Sequence, residues 1–133
     1  MRPNMVEILM EFAESIARRS VCEERQVGAV ITSSDFQRIY SMGYNGGAKG
    51  LNNGCMCKLG HKYGCVHAEQ NALVKCAALD KDKVIFVTLS PCTMCATLMI
   101  NEGGYKQLYY RQDWKDNPGI KLLQQAGITC TKL

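Results

Sequence analysis

The 133-residue sequence predicts an α/β fold in three layers, a mixed five-stranded sheet flanked by helices on both faces, on two observations. Apolar runs of strand length recur along the chain, and the stretches between them carry apolar residues at three- and four-residue spacing. In the second half the two patterns alternate, so successive strands are joined by helical crossovers, which impose parallel pairing with right-handed connections. The first half opens with a helix and then two strands across a tight turn, which pair as a hairpin. The predicted order is α-β-β-α-β-α-β-α-β.

Each element has its own signal. Val6, Leu9, Phe12, Ala13, Ile16 and Ala17 fall on one face of a helix over residues 5–19, with Glu7, Glu11 and Glu14 between them. Val27, Gly28, Ala29, Val30 and Ile31 form a buried strand, and after the turn at Ser33, Ser34 and Asp35 a second strand takes residues 38–42. From 45 to 64 the chain turns to Gly, Asn, Lys and Cys without periodicity, one long loop of the kind that usually carries function. A helix over 67–79 follows, then a strand over 84–89. Ser90 as cap and Pro91 at the first helical position open a helix over 91–102, which Gly103 and Gly104 end. A strand over 107–110, a turn at 116–119, a helix over 120–126 and a strand over 128–131 complete the chain.

Composition bounds the class. The length suits a single domain over 1–133, and 47% hydrophobic with 21% charged residues is the balance of a globular protein. No apolar run approaches the roughly 18 residues of a membrane span, and the glutamates of the first helix are unlike a signal peptide. A cytoplasmic protein with no membrane partner is expected. The net charge of +4 is spread along the chain, which permits a phosphorylated substrate without indicating nucleic acid. Eight cysteines in a reducing compartment point to metal rather than disulfides. Cys76 and Cys130 sit in apolar periodic stretches and read as buried small hydrophobes, leaving six to explain.

The chemistry concentrates at two helix starts, His67-Ala68-Glu69 and Pro91-Cys92-Thr93-Met94-Cys95. Two thiols three apart on a helix share a face, within reach of one tetrahedral ion, and the positive end of the helix favours their thiolate form. With His67 they make three donors and one open position, the arrangement of catalytic rather than structural zinc. Two thiolates and an imidazole cancel the ion's charge, so a bound water needs a nearby base. Glu69, two residues past His67, can be that base without being a ligand.

The pattern resembles the signature of the cytidine deaminase superfamily. Val27 to Ile31, Gly43-Tyr44-Asn45-Gly46, His67-Ala68-Glu69-Gln70-Asn71-Ala72 and Ser90 to Ala96 are similar, more narrowly, to deoxycytidylate (dCMP) deaminases. The resemblance implies a cytidine-deaminase-like fold and hydrolysis of dCMP to dUMP and ammonia, feeding thymidylate synthesis. It implies that Asn45 bonds the deoxyribose, that Ala68 and Ser90 read the amino-pyrimidine edge, and that Trp114 stacks on the base. Trp114 fits equally well as a core residue beside Tyr109 and Tyr110. Arg19, Arg25 and Lys115 are candidates for the 5′-phosphate.

The resemblance also implies a second, structural zinc held by Cys22, Cys55, Cys57 and Cys65, with His61 able to replace one of them; reduced cysteines without metal are the alternative. Relatives of this kind are hexamers regulated by dCTP and dTTP, which makes Gly43, Tyr44 and Gly46 candidates for an effector nucleotide with Mg2+. Three other readings stay open: a deaminase of another cytosine nucleotide such as dCTP, a tRNA or polynucleotide deaminase, and a zinc-stabilised module without activity. The mild charge and the Gly-Tyr-Asn-Gly element disfavour the polynucleotide, and Glu69 beside an open ligand position disfavours the inert module.

Overall fold

The central strand, β1 (Gly28–Ser33), is buried at all six positions because it has a strand on each edge and helices on each face. The computed structural model describes residues 1–22, 24–50, 65–78 and 82–133. On one edge β1 pairs antiparallel with β2 (Ile39–Tyr44), Ala29 opposite Gly43, with a register shift after Ile31. On the other it pairs antiparallel with β5 (Lys83–Leu89), which pairs parallel with β6 (Tyr105–Gln112), itself parallel to β7 (Thr129–Lys132). The order β2-β1-β5-β6-β7 is the expected mixed five-stranded sheet.

Strand alternation sorts the side chains between two cores. Val30, Val84 and Phe86 face α1 (Met5–Ala17), where they meet Leu9, Met10 and Ala13, and Tyr109 stacks on the Phe86 ring at 5.1 Å. Ala29, Ile31, Ile85, Val87 and Leu108 face α2 (Ala68–Lys75), α3 (Thr93–Glu102) and α4 (Pro118–Gln125) through Ala72, Met99 and Leu123. None of the helices among the described residues is long and apolar enough to cross a membrane.

Several boundaries differ from expectation for identifiable reasons. The first helix ends at Ala17, since Arg18, Arg19 and Ser20 donate three residues back and tighten the last turn. The expected loop over 45–64 holds near its start β3 (Gly46–Gly47), which pairs with β4 (Cys65–Val66) just past its end, a ribbon too short to show periodicity; 51–64 lie outside the described residues. The second helix stops at Lys75 and leaves Cys76 extended as its cap, though buried as expected, while Leu79 lies outside the described residues. The third helix starts at Thr93 and its cap is Cys92, not Ser90, because the Ser90 hydroxyl is used elsewhere. Strand β5 begins one residue early, at Lys83, whose charge conceals a fully buried position: its ammonium pairs with Glu102 and sits 4.4 Å from the Tyr105 ring.

One contact couples the sheet to the helix that carries the histidine. Gly43 of β2 is buried, and a Cβ there would come within 2.4 Å of the Ala68 carbonyl oxygen and 2.7 Å of the Ala72 nitrogen. Backbone therefore packs on backbone, and a side chain would lever α2 off the sheet. Gly43→Ala is expected to lower the unfolding free energy by about 3 kcal/mol, measured by urea denaturation; an unchanged midpoint would show that α2 has room to move.

Candidate active site

The first turns of α2 and α3 open side by side, one following β4 and the other following β5. His67 caps α2 and its backbone N–H donates to Gln70 Oε1 at 2.7 Å, which fixes the cap residue's backbone. Cys92 caps α3, and its Sγ accepts from the Cys95 N–H at 3.5 Å. A thiol at the cap and another at the third helical position face the same way, which corrects the expectation that both cysteines lie within the helix.

The three side chains converge. His67 Nδ1 lies 3.2 Å from Cys95 Sγ and 3.6 Å from Cys92 Sγ, and the donor atoms all lie within 4.8 Å of one another. Tetrahedral zinc, with bonds of about 2.3 Å to sulfur and 2.0 Å to nitrogen, separates its donors by about 3.6 Å, so the group fits that ion. No other such cluster occurs among the described residues. The electrostatics agree: Cys92 is pulled down to about 4, first by its hydrogen bond with Cys95 and then by His67. The same bond, with burial, pushes Cys95 up, so the pair carries one negative charge. A divalent cation would let both ionise.

Glu69 stands in the first turn of α2 with 4% of its surface exposed. Burial pushes its carboxyl up to about 7, against a hydrogen bond from its own backbone and the charge of His67. A carboxyl with this value both takes and gives a proton near neutrality.

His67, Glu69 and Cys92 line a cavity of about 500 Å³. Ala68, Ser90, Arg25, Asn45, Trp114 and Lys115 line the same cavity. The structure thus brings together most of the sequence-predicted substrate residues, but some are committed to the protein. Asn45 Oδ1 accepts from the Val27 N–H at 2.9 Å, and its Nδ2 donates to the Arg25 carbonyl at 2.8 Å. The Ser90 hydroxyl is bonded to Trp114 and Asn117. Asn71 donates to the Tyr44 carbonyl at 2.8 Å.

Arg19 does not line the cavity; its guanidinium lies 5.9 Å from the Tyr44 ring. Among the effector candidates Gly43 is buried under α2, Tyr44 is half-buried, and Gly46 pairs with Val66. Of the second metal set, Cys22 is buried at the cavity edge and Cys65 lies in β4, while Cys55, Cys57 and His61 are outside the described residues. Sequence reasoning missed Met94, between the two cysteines, which lines the cavity, and Asn117, whose left-handed backbone gives no periodic signal.

Fold and donor set together define an α/β domain with a zinc-type donor group. The chain belongs to the cytidine and deoxycytidylate deaminase zinc-binding family, whose model matches residues 3–111. ComE operon protein 2 of Bacillus subtilis is 34% identical over 86% of this chain and 63% of its own. Deoxycytidylate deaminase of Saccharomyces cerevisiae is 32% identical over 97% of this chain and 45% of its own. The chain therefore spans between about half and two thirds of those relatives' length. Among solved structures, dCMP deaminase from the cyanophage S-TIM5 in complex with dCMP and dUMP superposes with a TM-score of 0.88 at 34% identity, covering 100% of this chain and 99% of that one. A tRNA:A34 deaminase at 20% identity, TM-score 0.66, shares the fold.

The displaced carboxyl gives a stability test. Glu69 binds its proton more tightly folded, near 7, than unfolded, near 4.5, so the cost of burying its charge grows as pH rises between those values and is complete above them. In protein stripped of metal by chelation, Glu69→Gln is expected to leave the melting temperature unchanged at pH 4. At pH 8 it should stabilise the fold by about 3 kcal/mol. Equal melting temperatures at pH 8 would show that the carboxyl reaches water.

Proposed function

We propose that the protein hydrolyses dCMP to dUMP and ammonia, in the cytoplasm, with zinc held by His67, Cys92 and Cys95 and a proton carried by Glu69. The observation that carries the reading is the buried carboxyl beside a three-donor group at a nucleotide-sized cavity. It is joined by 34% identity, over the full chain, to a structure solved with dCMP and dUMP. Bound zinc supplies the acidification that makes water a nucleophile near neutral pH.

The rest of the reaction is derived from side chains. Water adds to C4 of the cytosine ring and the C4–N bond to the amine breaks. Glu69 takes the water proton and delivers it to the ring nitrogen, then carries a second proton to the departing ammonia. Its value near 7 suits both transfers. Trp114 offers an aromatic face to the base, and Ala68 and Ser90, which line the same cavity, border the amino edge. Asn45 faces the deoxyribose from the wall, and its amide holds the 25–27 segment that presents Arg25. Among the described residues, Arg25 and Lys115 bring their positive charges to the cavity lining and are suited to a 5′-phosphate.

Three further readings rest on resemblance to the family: a second zinc from Cys22, Cys55, Cys57 and Cys65 with His61 as substitute, a homo-hexamer, and regulation by dCTP and dTTP with Mg2+ near Tyr44 and Gly46. Metal analysis separates the first from the catalytic site. Two zinc ions per chain, falling to one in Cys55→Ser with Cys57→Ser, are expected; one per chain in both proteins would remove the second site.

The central test is turnover of dCMP beside dCTP, deoxycytidine, CMP and RNA, with zinc measured in parallel. dCMP is expected to be the best substrate. Glu69→Ala is expected to lose at least about a hundredfold in kcat while keeping its catalytic zinc. An active variant would refute the proton-carrying role, and turnover of RNA alone would replace the substrate.

A further inference from the structure

The turn after β6 is fastened to the segment bearing Cys92 at three points. Ser90, two residues before that cysteine, is buried; its Oγ accepts the Trp114 N–H at 2.7 Å and donates to Asn117 Oδ1 at 2.6 Å. Asn117 Nδ2 donates in turn to Asp113 Oδ1 at 2.7 Å, and Lys132 of β7 holds Asp113 Oδ2 at 2.6 Å. Gly119, at the start of α4, packs so closely that a Cβ there would come within 2.1 Å of the Pro91 carbonyl oxygen.

Between these anchors the backbone is unusual. Lys115 and Asn117 both have positive φ, 52° and 55°. Asparagine tolerates that region; lysine has no local hydrogen bond to offset the crowding of its Cβ. A backbone bond from the Asn117 N–H to the Trp114 carbonyl at 3.0 Å closes the turn around Lys115, and Ser90 anchors that turn on both sides, accepting from the Trp114 N–H and donating to Asn117 Oδ1. The result is the placement of the Trp114 ring and the Lys115 ammonium, 4.5 Å from it, on the wall of the cavity.

We propose that Ser90 and Asn117 are positioning residues for the substrate: their hydrogen-bonded pair sets the Trp114–Lys115 wall against the cavity and so governs nucleotide affinity, not the chemical step. This rests on the dCMP reading above. Neither residue of the wall is a metal donor or the proton carrier, so a misplaced wall weakens ground state and transition state alike, and the loss falls on KM. Trp114 is the only tryptophan in the chain, so its fluorescence reports the wall with or without substrate.

Asn117→Gly keeps the left-handed backbone accessible and removes both side-chain bonds. KM for dCMP is expected to rise roughly tenfold with kcat within about threefold of wild type and zinc content unchanged. Acrylamide quenching of Trp114 should increase in the ligand-free protein. Asp113→Asn combined with Asn117→Asp exchanges donor and acceptor between the two side chains and keeps an acceptor for Ser90; it is expected to return KM and quenching toward wild type. Unchanged KM and quenching in Asn117→Gly, or a fall in kcat accompanied by zinc loss, would overturn the proposal. If Asn117→Gly does not fold, Ser90→Ala takes the same quenching test, with increased quenching supporting the proposal and unchanged quenching refuting it. If wild-type protein leaves dCMP untouched, the substrate reading fails, and the quenching comparison still decides whether the pair sets the wall.

Discussion

The donor turns are seated by two backbone-on-backbone contacts that leave no room for a Cβ. Gly43 of β2 admits the Ala68 carbonyl, immediately after His67 and immediately before Glu69. Gly119 of α4 admits the carbonyls of Pro91 and Cys92. Each contact fixes the height of one first turn relative to the rest of the fold, so the imidazole and the two thiols meet without relying on flexible side chains to find one another. Close-packed interiors transmit small displacements, and a metal site tolerates little error in donor position.

Burial then sets the chemistry of what has been brought together. In the first turn of α3 the Cys95 thiol and N–H both bond Cys92 Sγ, and with His67 they favour the Cys92 thiolate. The same burial raises the Glu69 carboxyl to about 7. One region of low dielectric thus produces an anionic pair suited to a cation and a carboxyl suited to proton transfer, because the outcome depends on whether a partner charge is at hand. Burying the Glu69 charge costs stability, a trade common in functional sites.

At the opposite end of α3, the ammonium of Lys83, the carboxylate of Glu102 and the hydroxyl of Tyr105 form a buried polar group in which each member has a partner. It joins the first residue of β5 to the last turn of α3 and the first residue of β6. The helix is thereby tied at both ends, by a charge pair below and by Ser90 with Gly119 above. Pairs of this kind add specificity of placement more readily than net stability, since the desolvation of both charges opposes their attraction.

The sequence alone determined the sheet with its antiparallel hairpin and parallel half, the two metal-donor turns and the carboxyl between them. Those features rest on local periodicity and on fixed spacing along a helix, which short segments express by themselves. Where it misplaced boundaries, side chains with long-range partners had overridden the local signal. Lys83 reads as surface until Glu102 covers it, and Ser90 reads as a cap until Trp114 and Asn117 claim its hydroxyl, leaving Cys92 to cap the helix. Only the tertiary structure decided that Asn45 spends its amide on residues 25 and 27, that Arg19 does not line the cavity, and that Gly43 is a packing position. The physical reason is the same in each case: hydrogen-bond partners and close backbone approaches join residues far apart in the chain, and no pattern within either segment records them.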